Sequence, residues 1–189
     1  KNEEGMDLQG KSEDKNYIVL SKTINTNDSD LFLLNTKTGE KTKINENLSS
    51  NAFEDFSPDG KYLYYTTDDG AEFRYVMKYA LETGEKEKVA EKKWDINAFY
   101  FTHNGRYQVT FANEDAKNVM YVTEVATGKA VEFPDFGGKE INSASFSRDE
   151  SMAILNVTGS NVPRNVYSYN LETKEHHQLT DVLTEDIKA

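Results

Sequence analysis

The chain contains no cysteine, which excludes disulfides and thiolate zinc sites and leaves the compartment open. It has no apolar run near the roughly 20 residues that a membrane-spanning helix needs, so no membrane insertion is expected. Its first residues, KNEEGMDLQG, lack the parts of a signal peptide. They also lack an initiator Met, as expected of a mature or excised chain that has lost an export signal. Basic residues are few: 22 Lys and Arg stand against 33 Asp and Glu, a net charge of −11. Phosphate binding needs concentrated positive charge, so nucleic acid is not expected as a partner. The longest basic cluster, Lys86 to Lys93, is interrupted by Glu87 and Glu91 and reads as a solvated face. Helical periodicity is missing throughout. What is present is enough apolar and aromatic residue, 37% and 12% of 189, to build a core in one domain or in a sizeable piece of a larger one.

The apolar residues come in a recurring frame. SPDGKY at 57–62 returns as THNGRY at 102–107 and SRDESM at 147–152, and SEDKNY at 12–17 precedes them; each step is 45 residues. A second marker keeps time with the first: TKTGE ending at Glu40, LETGE at Glu85, VATGK at Lys129 and LETKE at Glu175. Two markers in register define a structural repeat. After the first marker, Tyr17, Tyr62, Tyr107 and Met152 form one column, and Val19, Tyr64, Val109 and Ile154 another two residues on. Spacing of two is the strand period. In copies one, two and four the intervening positions are also largely apolar, so this strand is covered on both faces. Phe32, Met77, Tyr121 and Tyr167 align in a further strand. Phe56, Phe101 and Phe146 align in an inner one, and polar segments such as KTKIN and HHQLT supply an outer edge.

The turns agree with four strands per unit. Ser-Pro-Asp-Gly suits a type I turn with Gly at its end, and Asn104-Gly105 is an equivalent signal. The expected fold is all-β: a β-propeller of four-stranded antiparallel blades at about 8–47, 48–92, 93–136 and 137–180. Residues 1–7 are expected to be a disordered N-terminal segment and 181–189 an exit segment. The first copy departs from the pattern, with Lys11 where the others have Phe and Lys15 where Gly60 sits, so its inner strand is expected to be distorted or unformed. Trp94, the lone tryptophan, is expected in core packing.

SPDGKYLYYTTDDG resembles the Asp-Gly turn repeats of TolB-like propellers. The run DLFLLNTKTGE through SPDGKYLYYTTDDGAEFRYVMKYALETGEKEKV more closely resembles the propellers of prolyl-oligopeptidase-type serine peptidases, of the dipeptidyl and acylaminoacyl peptidase kind. FTHNGRYQVTFANEDAKNVMYV and the C-terminal repeat continue it, so that it covers about residues 25–187. DVLTEDIKA resembles the segment by which such propellers leave their last blade. The resemblance implies a propeller joined to an α/β-hydrolase domain, expected beyond Ala189, with short peptides as ligands and a periplasmic or secreted location; a cytoplasmic one is the alternative. The implied role is non-catalytic: gating access and contributing to peptide binding. A TolB-like binding or scaffolding propeller of the bacterial envelope is the alternative, and a metal-dependent propeller lactonase a weaker third. Family propellers usually have more than four blades, so either blades are missing or this chain closes as a four-bladed ring. An open fragment would expose sheet faces and is expected to self-associate through them.

No catalytic residue is assigned. The hydrolase elbow Gly-x-Ser-x-Gly does not occur; in TGSNV at 158–162, Asn161 and Val162 break it. His103, His176 and His177 lie on separate features and make a poor metal set, and the Asn/Asp-rich loops match no complete calcium loop. No cofactor or metal is expected. The connections between second and third strands, at 25–30, 67–72, 113–118 and 158–165, emerge on one face by the up-and-down strand order. They place Glu72, Arg74, Glu114, Asp115 and Arg164 on a candidate peptide-binding rim.

Overall fold

In a computed structural model, which describes residues 3–160 and 162–182, sixteen strands and no helix form four antiparallel sheets of four. The first sheet runs β1 (Asp7–Lys11), β2 (Tyr17–Thr23), β3 (Ser29–Asn35) and β4 (Lys41–Lys43). The second runs β5 (Asn51–Phe56), β6 (Tyr62–Thr67), β7 (Tyr75–Ala80) and β8 (Lys86–Ala90). The third runs β9 (Ile96–Phe101), β10 (Tyr107–Glu114), β11 (Lys117–Glu124) and β12 (Lys129–Ala130). The fourth runs β13 (Glu140–Phe146), β14 (Met152–Gly159), β15 (Val162–Asn170) and β16 (His176–Gln178). Each sheet keeps sequence order, as blades of a β-propeller do. The chain forms two compact units, Lys1–Tyr100 and Phe101–Ala189.

The first marker owes its recurrence to a closed hydrogen-bond loop. Ser57 Oγ donates to Asp59 Oδ1 (2.6 Å) and accepts from the Tyr62 N–H (2.9 Å), while Asp59 accepts from the Lys61 N–H. Ser12 with Asp14 and Ser147 with Asp149 repeat it. The serine hydroxyls hold these three carboxyls below the usual Asp range. The turn ends in a left-handed residue, Gly60 at φ 69° and Gly105 at φ 72°, the conformation glycine adopts without a Cβ clash. The second marker works through asparagine: Asn35 and Asn170 each accept two backbone N–H groups from the turn that follows.

In the first unit, Val19, Leu31, Leu33 and Ile44 of the first blade pack with Phe56, Leu63, Tyr65 and Tyr79 of the second. In the second unit, Tyr107 meets Phe146 at 6.0 Å and Phe133 meets Tyr169 at 4.9 Å, with Val109, Ala153 and Leu155 fully buried. Full burial of such a side chain contributes about 1.5–3 kcal/mol. The face of the second strand decides which side is covered. Val19 is buried toward the second blade, whereas Leu8, paired to Leu20 on the opposite face, is 67% exposed.

Of the two outcomes expected for the first inner strand, distortion is the one seen: β1 pairs with β2 from Asp7 to Lys11 across a register shift between Leu8 and Gly10. Lys15 takes φ 61° in place of glycine, at a cost of about 1–2 kcal/mol that the Ser12–Asp14 loop offsets. Three other sequence expectations are corrected. Order starts within the segment read as disordered, since Met6 is buried and Asp7 opens β1. Trp94 is 39% exposed and leans on Phe73 at 5.8 Å rather than filling the core. Finally, two expected loops are mostly strand. Asp115 and Ala116, at φ 50° and 61°, make a two-residue turn, so Glu114 ends β10 and pairs with Lys117. Arg164 lies within β15. Most of the exit segment lies outside the described residues.

Candidate functional site

The five rim residues divide between the units. In the first, Glu72 is exposed in the connection from β6 to β7, and Arg74 ends that connection. Arg74 is held: its N–H donates to Asp95 Oδ1 at 2.8 Å and its Nη2 to Asn97 Oδ1 at 2.6 Å. In the second unit Glu114 accepts from the Tyr121 hydroxyl at 2.5 Å; burial, with this bond adding to it, pushes that phenol up to about 12. Asp115, at the tip of the turn, and Arg164, on β15, are exposed. Within each unit these groups lie at the end of the sheet where second and third strands join. In the first unit the anchored Arg74 follows the exposed Glu72; in the second the anchored Glu114 precedes the exposed Asp115, and Arg164 is exposed on β15.

The histidines do not converge. His103 accepts from Arg148 Nε at 3.4 Å, His176 sits edge-on to Phe136, and His177 is exposed on β16. Among the described residues no group of three or more His, Asp or Glu is arranged to hold a metal ion.

Sequence reasoning passed over Glu54. It is the extra residue of a β-bulge, since β5 pairs Phe53 with Tyr65 and Asp55 with Tyr64, skipping it. A bulge re-aims the side chain it carries. The Glu54 carboxyl accepts from Thr66 Oγ1 at 2.8 Å and from the Phe99 N–H at 2.9 Å. Burial pushes it up to about 7, outweighing both hydrogen bonds and the Arg74 charge. The pair Glu54-Asp55, two successive acids in the strand NAFEDF, was the available signal.

Glu150 was also hidden. It fills the left-handed position that Gly60 and Gly105 occupy, at φ 59°, and is 1% exposed. Its carboxyl accepts from the Asn104 N–H at 2.6 Å, and Asn104 Nδ2 donates to the Arg148 carbonyl at 2.7 Å. These bonds stitch the first-marker turns of the third and fourth blades together.

Repeated four-stranded antiparallel sheets in sequence order, packed blade against blade within each unit, define a β-propeller. The family model described as prolyl oligopeptidase, N-terminal beta-propeller domain, matches residues 5–182, and the chain belongs to that family. Among solved structures, it is similar to prolyl oligopeptidase B from Galerina marginata as apo protein, at 20% identity and TM-score 0.72, covering 95% of this chain and 27% of that one. It is also similar to TolB from Acinetobacter baumannii, at 17% identity and TM-score 0.65, covering 91% and 42%. A third likeness is to a putative TolB from Agrobacterium tumefaciens, at 15% and 0.67, covering 92% and 64%. The chain therefore spans less than two thirds of each of these proteins, and at these identities the similarity is one of fold. No curated protein matches the sequence.

Proposed function

We propose that this chain is the non-catalytic propeller portion of a serine peptidase, gating access to a hydrolase domain and contributing a rim that binds peptide ends. The observation that carries the reading is the match to the peptidase propeller family along residues 5–182 in a sequence without a Gly-x-Ser-x-Gly elbow. A propeller restricts substrates by size, because its rigid sheets admit only what passes its loops. Glu72, Arg74, Glu114, Asp115 and Arg164 would orient the charged termini of short peptides, while the acyl-transfer chemistry belongs to the hydrolase domain.

The test is fluorophosphonate labelling of the natural gene product, read by intact mass. A product far heavier than 21.5 kDa with one covalent adduct supports the peptidase reading. A product near that mass with no adduct overturns it. The second reading is a protein-binding propeller of the bacterial envelope, favoured by the fold similarity to two TolB structures. In that case affinity capture from envelope extract recovers a stoichiometric protein partner, and rim charge reversals release it.

A further inference from the structure

Asn-Gly occurs once in the chain, at Asn104-Gly105, in the first-marker turn of the third blade. In a flexible peptide this pair is chemically unstable. Glycine has no side chain to shield its amide nitrogen, so that nitrogen reaches the carboxamide of the asparagine before it. In the reaction the Gly105 amide gives up its proton to water and attacks Asn104 Cγ. The Cγ–Nδ2 bond breaks and Nδ2 leaves as ammonia, closing a five-membered succinimide. Water then opens the ring at either carbonyl, leaving aspartate or isoaspartate. The balance is water in and ammonia out, with no other reactant. The equivalent turns of the other blades carry no such amide, since Asp14-Lys15, Asp59-Gly60 and Asp149-Glu150 stand there.

In the folded chain both nitrogens of that reaction are engaged. The Gly105 N–H donates to the Thr102 carbonyl at 2.8 Å, so the nucleophile keeps its proton inside the turn. Asn104 Nδ2, the leaving group, donates to the Arg148 carbonyl at 2.7 Å, and the Asn104 N–H donates to Glu150 Oε1 at 2.6 Å. These last two partners belong to the turn of the fourth blade, which is closed by the Glu150 N–H on the Ser147 carbonyl at 2.9 Å. Glu150 is buried while Asn104 is exposed. Water therefore reaches the site, and it is the geometry that withholds the reaction. Turning the carboxamide toward the Gly105 nitrogen gives up the bond to Arg148.

We propose that Asn104-Gly105 is a self-modification site, held off by the stitch between the turns of the third and fourth blades and able to break that stitch for good. When the stitch opens, the carboxamide is free to react. The product carries a carboxylate where Nδ2 stood, an acceptor set against the Arg148 carbonyl and beside the Glu150 carboxyl, so the bonds do not re-form. Isoaspartate also lengthens the main chain by a carbon and displaces the turn. A reversible local opening, of the kind native proteins make constantly, is thereby turned into a permanent one.

The experiment is incubation of the whole chain at pH 8, with conversion at Asn104 followed by peptide mapping and mass spectrometry. In urea that unfolds the chain, the site reacts as fast as a free peptide of the same sequence; in the native chain it reacts at least about tenfold more slowly. Glu150→Ala and Glu150→Gly both remove the acceptor, and each speeds the native reaction about tenfold, as loss of a hydrogen bond to a carboxyl implies. Gly10→Ala, which crowds the Phe53 ring in the first unit, strains the chain elsewhere and leaves the rate unchanged. Asn104→Asp stands in for the product and lowers the urea midpoint. Four results overturn the proposal: a native rate equal to that in urea, Glu150 variants no faster than the parent, an equal acceleration by Gly10→Ala, or an Asn104→Asp midpoint matching the parent's.

Discussion

At the scale of single residues, the half-buried Glu54 and the buried Glu150 carry more consequence than the rim charges. Glu54 has a folded-state pKa of about 7, against about 4.3 for an unfolded chain. Between those values the folded state binds the proton that the unfolded state has released, so stability falls as pH rises from about 4.3 to 7 and is flat above. The loss attributable to this group is at most about 4 kcal/mol. Glu54→Gln keeps the size and can still bond to Thr66 and the Phe99 N–H. It is expected to raise the urea midpoint at pH 8 while matching the parent at pH 4. Parallel pH dependence in the two proteins would remove Glu54 as the cause. Glu150 behaves differently, because its carboxyl gives an N–H a partner while its backbone is strained. Glu150→Ala loses the bond to Asn104 and keeps the φ penalty, whereas Glu150→Gly loses the bond and relieves the penalty. The alanine variant is expected to be destabilised by about 2–3 kcal/mol, roughly 1 kcal/mol more than the glycine variant. Equilibrium urea unfolding orders them, and the reverse order would contradict the assignment.

Among the elements, the inner strands show how the sequence accommodates close approach. β1 bulges between Leu8 and Gly10, β5 between Phe53 and Asp55, and β13 between Ile141 and Ser143. At Gly10 a Cβ would stand inside the contact distance of the Phe53 ring, so this glycine lets the first two inner strands nest. Gly10→Ala forces the ring aside and is expected to cost about 1–3 kcal/mol, with the loss recovered in part by Phe53→Leu; differential scanning calorimetry of the single and double variants checks it. The third blade departs from the others at its edge. In the third blade AVEFP stands after the second marker, where KTKIN and HHQLT stand in the first and fourth, yet β12 holds only Lys129 and Ala130, with Val131 adding one more backbone bond to Val122. The chain leaves early because Phe133 packs on Tyr169 and Phe136 on Tyr167, at 4.9 and 4.7 Å. Aromatic burial against the fourth blade outweighs the ladder bonds that a longer edge strand would have made.

For the whole molecule, the consequence lies in faces that blades ordinarily cover. Leu8 on the first sheet is 67% exposed and Ile154 on the last is 39% exposed. Ile154 shares a column with Val19 and Val109, both fully buried, so its exposure comes from its place in the array and not from its chemistry. Apolar sheet faces left open favour association. The chain is expected to sediment as a concentration-dependent dimer or larger species, and Leu8→Glu to shift it toward monomer. A parent protein that stays monomeric at high concentration would instead favour a self-contained ring.

The 45-residue repeat, its two turn signatures and the period-two columns determined the four-stranded blades, because turn chemistry and strand alternation are local and the same physics recurs in each copy. Those features were legible in residues such as Ser57, Asp59, Gly60 and Asn35. Non-local packing decided the rest. Whether Lys15 could replace a glycine, whether Trp94 was covered, and where β12 ended depended on neighbours distant in sequence. The bulge that turns Glu54 inward and the turn-to-turn bond that tolerates Glu150 at positive φ were equally invisible, because a sequence shows which groups are polar but not which of them lose their water.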